Sequence, residues 1–239
     1  MVAIIPAAGR GRRMGSQKTK AFLPLGGIPL LTHTLRKFEA CPQVDEILPL
    51  VPEGEVLLWE NEILRSSDLK KVSRILAGGP ERQDSVYLGL KAVAGQADFA
   101  IIHDGVRPFV SPELLAHVLS ETRRWKAVVT ALPAGDTIKE VSAEKEVLRT
   151  VDRSRLWVIQ TPQSFEYGLI TRAHEKAKEE GFYGTDDASL VERLGMPVKV
   201  IEGSRFNIKI TTPEDLILGE ALLKQLEELS RQRSAVSKK

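Results

Sequence analysis

One cysteine, Cys41, is all that the 239-residue chain contains, which excludes an intramolecular disulfide and any multi-cysteine metal site. It reads as a small buried hydrophobe. A surplus of one charge is also missing: 34 Lys and Arg face 32 Asp and Glu, and a net charge of +2 is too small for general nucleic-acid binding. No apolar run approaches the roughly 18 residues of a membrane span, and no signal peptide opens the chain, so a cytoplasmic protein without membrane attachment is expected. Histidine is sparse and dispersed. His33, His117 and His174 fall in separate helical patterns, which gives no zinc cluster, and His103 reads as structural. Neither a Ser–His–Asp nor a Cys–His arrangement is apparent, and no titratable pair resembles an acid–base couple. Internal repeats and low-complexity segments are absent too.

What remains is an ordinary soluble globular composition, 42% hydrophobic and 28% charged, long enough to bury a substantial core as one large domain or two small ones. Apolar runs predict strands at Val2–Ile5, Glu46–Val51, Val72–Leu76, Phe99–His103, Ala127–Ala131 and Val198–Ile201. Helical patterns fall near Pro29–Glu39, Glu53–Arg65, Ser85–Val93, Pro112–Trp125, Phe165–Glu180, Ala188–Leu194 and Pro213–Leu229. Proline opens three of these, Pro29, Pro112 and Pro213, each after a plausible N-cap. Strand–helix alternation with continuous rather than alternating apolar strands predicts an α/β fold in three layers, a parallel sheet covered on both faces. Pro133–Trp157 breaks the rhythm: two alternating runs flank the polar turn Ser142–Lys145, as in a hairpin. Such a hairpin is too short and polar to stand alone, so another subunit is expected against it. The polar end, Ser230–Lys239, is expected to fray.

The first strand leads into Ala7-Ala8-Gly9-Arg10-Gly11-Arg12-Arg13-Met14, and Lys18 and Lys20 follow. Small residues let a backbone approach a ligand closely, and cations offset the charge of a polyphosphate. This loop is neither a P-loop, since no Gly-Lys-Ser/Thr occurs, nor a dinucleotide fingerprint, since Met14 stands where the third glycine belongs. A solvated basic loop is the plainer alternative.

Ligands of an open parallel sheet bind beyond the carboxyl ends of its strands, which directs attention to the segments there. Gly78-Gly79-Pro80-Glu81-Arg82-Gln83-Asp84-Ser85 permits close backbone approach, and Ser85 or Asp84 either caps the next helix or meets a base edge. Asp104, followed by Gly105, is placed to hold a divalent metal or ribose hydroxyls, or is simply a turn residue. Gln160–Gln163 and Gly184–Asp187 present polar groups beside helix starts, where Asp186 and Asp187 also suit a helix dipole. Lys209, in the apolar strand-like run Asn207–Thr211, either snorkels or contacts a phosphate. The implied chemistry is positioning of phosphates by cations and a metal, with no covalent intermediate.

Taken in order, these segments resemble the 2-C-methyl-D-erythritol 4-phosphate cytidylyltransferase family, within the glycosyltransferase-A-like nucleotidyltransferases, from Val2 to about Leu222. The carriers are Ala7–Met14 with Lys20, Gly78–Val86, His103–Pro108, Asp136-Thr137, Val151-Asp152-Arg153, Thr161-Pro162-Gln163, Thr185–Ser189 and Asn207–Thr211. The resemblance implies a Rossmann-like nucleotidyltransferase fold, three-layered with a mostly parallel sheet, as one domain over residues 1–232 with a β-arm at about 133–157 and a flexible tail at 233–239. It implies CTP and a sugar-alcohol phosphate as substrates, Mg2+ or another divalent cation, and a homodimer that exchanges arms. Arg13, Lys20 and Lys209 match catalytic cations, and Ala7, Ala8, Gly9, Gly11, Gly79, Ser85 and Asp104 match the CTP pocket. Thr137, Arg153, Thr161, Thr185 and Lys209 match positions around the acceptor phosphate, the first two reaching the partner's site, and Asp104 is the candidate metal ligand.

Two departures stand out: Ala21-Phe22 after Lys20 in place of Gln-Tyr, and Gly105-Val106 in place of Ala-Ala. The second is similar to the ribitol-5-phosphate cytidylyltransferases, which form the alternative. A non-catalytic nucleotide-binding regulator could dispense with Arg13, Lys20 and Lys209, yet all three are present.

Overall fold

A computed structural model describes residues 1–9, 19–64, 68–93 and 97–236. In chain order its strands are β1 (Val2–Pro6), β2 (Pro24–Leu25), β3 (Ile28–Pro29), β4 (Glu46–Val51), β5 (Leu76–Ala77), β6 (Phe99–Ile102), β7 (Ala127–Pro133), β8 (Ile138–Val141), β9 (Val147–Val151), β10 (Trp157–Glu166) and β11 (Lys199–Glu202). Its α-helices are α1 (Leu30–Glu39), α2 (Val56–Leu64), α3 (Arg82–Val93), α4 (Pro112–Trp125), α5 (Tyr167–Glu179), α6 (Asp187–Arg193) and α7 (Pro213–Val236).

Among the described residues seven strands form the main sheet, in the order β11-β7-β10-β6-β1-β4-β5. β1 pairs in parallel with β4 on one side and β6 on the other, so the chain reverses its direction of winding at β1. Ligands of such sheets bind at that switch point. Alternation along β1 feeds two cores. Ala3 and Ile5 pack with Leu31, Leu35 and Phe38 of α1, Trp59 of α2 and Leu115, Val118 and Leu119 of α4. Val2 and Ile4 pack on the other face with Val86 and Leu90 of α3, Leu169 and Ala173 of α5 and Leu190 of α6. Burial on both faces explains why the strands show continuous apolar runs, and the expected three layers are present.

The sheet departs from the parallel expectation at β10, which runs antiparallel to both β6 and β7. The sequence gives this strand no clean signal because Pro162 stands mid-run and the register to β7 shifts between Gln160 and Gln163. Phe165, expected to open a helix, is the fully buried end of this strand, and α5 begins at Tyr167. Val72–Leu76 is a strand only at its end: Leu76 and Ala77 pair with β4, and Val72 makes an isolated bridge to Ile47. Helix α3 starts at Arg82, ahead of the expected Ser85. α7 continues past Leu229 to Val236, taking in part of the segment expected as a tail.

Helix starts at Pro112 and Pro213 are as expected. Ser111 Oγ accepts from Leu114 N at 3.1 Å. Thr212 Oγ1 accepts from Asp215 N at 3.3 Å while Asp215 Oδ2 accepts from Thr212 N at 2.8 Å, a reciprocal capping box. β8 and β9 form the expected hairpin as a separate two-stranded sheet, with Val141, Val147 and Leu148 exposed on it.

Candidate active site at the sheet switch point

The loops that follow β1, β5 and β6 are stitched together beside the carboxyl end of β4. Ala7 N donates to Leu50 O at 2.7 Å, Gly78 N to Val51 O at 2.8 Å and Gly105 N to Pro6 O at 3.1 Å. The fit is tight enough to require glycine at residue 78, where a Cβ would stand 2.4 Å from Ala8 Cβ and 2.8 Å from Ser85 Oγ. Ser85 lies inside α3 and caps nothing. Its hydroxyl accepts from Gly79 N at 3.1 Å and donates to Glu81 O at 3.2 Å, which fixes the glycine loop against the helix. Ala7, Ala8, Gly79 and Ser85 are therefore gathered along one edge of the site, beside the end of Gly9.

Asp104 is the hub of the opposite edge. Its Oδ1 accepts from Arg82 Nε at 2.9 Å, and its Oδ2 from Lys209 Nζ at 2.7 Å, with Arg107 Nε at 3.7 Å. Burial alone would raise this carboxyl, but the charges of Arg82, Lys209 and Arg107 override burial and hold it well below the ordinary range. Arg82 is shared: its Nη1 donates to Asp187 Oδ2 at 2.7 Å, and Asp187 Oδ1 meets His174 Nε2 at 3.1 Å. Burial works against the charged guanidinium, yet Asp187 and Asp104 raise it above its usual value.

Thr161, from the middle of β10, stands beneath this hub. Its Oγ1 accepts from Asp104 N at 3.0 Å and lies 3.2 Å from His103 Nδ1, while His103 Nε2 meets Arg107 O at 3.0 Å. A neutral ring that donates from Nε2 to that carbonyl accepts the threonine hydroxyl at Nδ1. Burial agrees, pushing His103 down to about 4. Asn207 closes the ring, donating through Nδ2 to Thr161 O at 2.7 Å while its own carbonyl accepts from Arg107 Nη1 at 2.7 Å.

The same loop carries Lys209. It is not strand: residues 207–211 are irregular, anchored by Ile210 N donating to Val106 O at 3.0 Å. Lys20, at the start of a short 3-10 helix, donates from Nζ to Thr211 O at 2.8 Å, so the two lysines converge on one loop. Lys209 is not snorkelling into solvent. It is an ion-paired cation at the rim of the hub.

A family model described as IspD, 2-C-methyl-D-erythritol 4-phosphate cytidylyltransferase, matches residues 1–225. The chain belongs to this family. The protein of that name from Syntrophus aciditrophicus is 49% identical over 227 residues, covering 95% of this chain and 97% of its own. The one from Desulforamulus reducens is 44% identical over 225 residues, with coverages of 94% and 96%. Among solved structures, the 4-diphosphocytidyl-2C-methyl-D-erythritol synthase of Anaerococcus prevotii superposes with a TM-score of 0.81 at 36% identity, covering 93% of this chain and 95% of that one. The 2-C-methyl-D-erythritol 4-phosphate cytidylyltransferase of Thermus thermophilus gives 0.76 at 38%, covering 93% and 98%.

Within this cytidylyltransferase-family chain the remaining site residues divide into three groups. Arg13 and Gly11 lie outside the described residues. Thr185 is exposed beside the hub, between Gly184, whose N–H donates to Gln83 Oε1 at 2.9 Å, and Asp187 on Arg82. Thr137 and Arg153 stand at the base of the β8–β9 hairpin, where Arg153 Nη1 donates to Gly135 O. Among the described residues no hydrogen bond or ion pair joins these two to the hub. Sequence assigns no individual role in the site to Arg82, Arg107, His174 or Asn207, and reads Asp187 only as a polar group beside a helix start that also suits a helix dipole. Each is polar and embedded, and only the fold reveals what it faces. Among the described residues no three His, Cys, Asp or Glu side chains form a metal cage.

Proposed function

We propose that the protein transfers the cytidylyl group of CTP to 2-C-methyl-D-erythritol 4-phosphate, giving 4-diphosphocytidyl-2-C-methyl-D-erythritol and pyrophosphate. The observation that carries this reading is the convergence of Lys20 and Lys209 beside Asp104 and Arg82 at the sheet switch point, in a chain of this family. An acceptor phosphate oxygen attacks the α-phosphorus, and the bond from that phosphorus to the bridging oxygen of pyrophosphate breaks. The acceptor is already an anion, so no general base is needed, and the work is to hold two anions in line. Lys20, with Arg13, neutralises charge on the triphosphate, and Lys209 orients the acceptor phosphate. Ala7, Ala8, Gly9, Gly79 and Ser85 line the CTP side, where glycine and alanine admit phosphates and ribose to the backbone.

An Mg2+ would be held chiefly by the substrate phosphates, because both oxygens of Asp104, the candidate metal ligand, are already taken by Arg82 and Lys209. The ion would supply further charge neutralisation. The protein acts as a homodimer in which the β8–β9 hairpin presents Thr137 and Arg153 to the partner's site. Exposed Val141, Val147, Leu148, Trp157, Val158 and Ile159 give that hairpin and its root an apolar surface for a second copy to cover.

The Gly105 departure no longer speaks for ribitol. A Cβ there would meet Ala7 Cβ at 2.9 Å and Leu31 Cδ1 at 3.1 Å, so the glycine answers to packing beneath the loop. The test is pyrophosphate release from CTP with methylerythritol phosphate and with ribitol 5-phosphate, each alone. Methylerythritol phosphate is expected to support the higher kcat/KM. A preference for ribitol 5-phosphate reverses the acceptor assignment, and CTP binding without turnover on either makes the protein a nucleotide-binding regulator.

A further inference from the structure

We infer that Asp187 and His174 are positioning residues: they brace Arg82 against Asp104 so that Lys209 can leave Asp104 for an incoming phosphate. The inference rests on the cytidylyl transfer proposed above. Lys209 is the most exposed of the three cations on Asp104, with a side chain 41% accessible against 31% for Arg82 and 11% for Arg107. A phosphate arriving from solvent therefore meets Lys209 first. Drawing Lys209 away leaves a buried carboxylate that needs another counter-charge. Arg107 Nε, at 3.7 Å, adds charge but lies beyond hydrogen-bond reach of Asp104, so the hydrogen-bonded Arg82 supplies most of it.

Arg82 is held in place from behind. Asp187, 1% exposed, takes its Nη1 at 2.7 Å, and His174, also buried, takes the second oxygen of Asp187 at 3.1 Å. The three residues come from α3, α6 and α5, so the brace ties one helical layer to the end of β6. Gln163 of β10 locks the start of α6 in register, donating to Asp186 Oδ2 at 2.7 Å and accepting from Ala188 N at 3.1 Å. With the brace in place Asp104 stays compensated while Lys209 changes partner. Without it, Arg82 loses one of its two carboxylates, and Lys209 stays locked on Asp104.

The test is Asp187→Asn, which keeps the size and the acceptor for His174 but removes the charge. Its expected signature is a fall in kcat/KM for the alcohol phosphate of about tenfold or more, with KM for CTP changed by less than about threefold. Val191→Ala, a core truncation on the same helix, provides a variant of comparable thermal destabilisation that leaves the brace intact. A parallel reading is solvent exchange of the Arg82 Nε–H, followed by 15N NMR, which should be slow in wild type and fast in Asp187→Asn. If Asp187→Asn does not fold, His174→Gln takes its place, releasing the second oxygen of Asp187 while keeping Arg82 and its Nε–H, with the same losses expected. Kinetic losses that merely match Val191→Ala, or a slow Arg82 Nε–H in the variant, overturn the brace. Because exchange needs no turnover, an inactive wild-type enzyme would refute the reaction while leaving the brace to be decided on that signal.

Discussion

Gly78→Ala isolates the close approach of the two loops that form the proposed CTP side of the site. The added Cβ would lie 2.4 Å from Ala8 Cβ and 2.8 Å from Ser85 Oγ. Carbon–carbon contact is comfortable at roughly 3.5 Å or more, so something must retreat by about 1 Å. Gly78 cannot give way easily, because its N–H is bonded to Val51 O at 2.8 Å. What moves is Ala8 on the β1 loop or the Ser85 hydroxyl, which holds Gly79 N at 3.1 Å. Misplacement on this scale costs up to about 100-fold in rate, and overpacking of this kind costs about 1–3 kcal/mol of stability. The assay is pyrophosphate release at saturating alcohol phosphate with CTP varied, alongside a thermal melt. KM for CTP should rise by about tenfold or more, with a melting temperature lower by several degrees. Ala8→Gly removes the nearer obstacle, so the double variant should recover more CTP affinity than addition of the two single effects allows. Wild-type kinetics in Gly78→Ala, or strict additivity in the pair, would refute the argument that these loops are fitted to each other.

Lys20→Ala should lower kcat by about 100-fold or more, the scale of losing one charge-stabilising donor, while circular dichroism stays native. The Thr211 carbonyl it leaves behind is at the rim of the site, where water can replace the donor. His103 makes a prediction about acid stability. Its folded value is depressed to about 4 by burial, below the roughly 6.5 of the unfolded chain, so the neutral ring stabilises the fold fully above that upper value. That contribution, roughly 3 kcal/mol, is lost as pH falls from about 6.5 to about 4. Asp104 and Asp187, both depressed, begin to lose theirs only as pH falls below the ordinary carboxylate range. Denaturant melts of wild type and His103→Gln across this window should therefore converge towards acid, and parallel curves would contradict a buried neutral ring.

What the sequence discloses here follows from how locally each feature is encoded. β1, β4 and β6 are legible because burial on both faces demands uninterrupted apolar residues, and the ends of β1 and β6 then point to the residue-8 and residue-104 loops, while the residue-79 loop follows β5, a strand only at Leu76–Ala77. β10 is illegible for the converse reason. Its interior carries Pro162 and the polar side chains of Gln160, Thr161, Gln163 and Ser164, which are buried against neighbours far away in sequence. Gln163 is satisfied by Asp186 and Ala188, and Thr161 by Asp104 and His103, and no pattern of period two records such partners. Asp187 shows the same limit at the site. As the first residue of α6 it looks like any acid near a helix start, and only the position of Arg82 across the layer makes it an ion pair. Lys20 and Lys209 are legible as candidate phosphate-binding cations, whereas the loop joining them, through Thr211 O, belongs to tertiary structure alone.

The balance of charge at the hub explains how an aspartate can sit at the centre of the proposed phosphate site. Among the described residues Arg82, Arg107 and Lys209 surround Asp104, and Asp187 supplies the second carboxylate. Three cations without an acid between them would repel one another. Such a pocket would open when empty and be ordered only by its ligand. With Asp104 present, the cations are held in position before any phosphate arrives, and the entering anion exchanges with a carboxylate instead of recruiting scattered side chains. The same aspartate limits affinity, since each phosphate must draw Lys209 away from a contact of 2.7 Å. Preorganisation and release are set by one residue, and the cost of each is tuned by how firmly Arg82 keeps Asp104 neutralised when Lys209 departs.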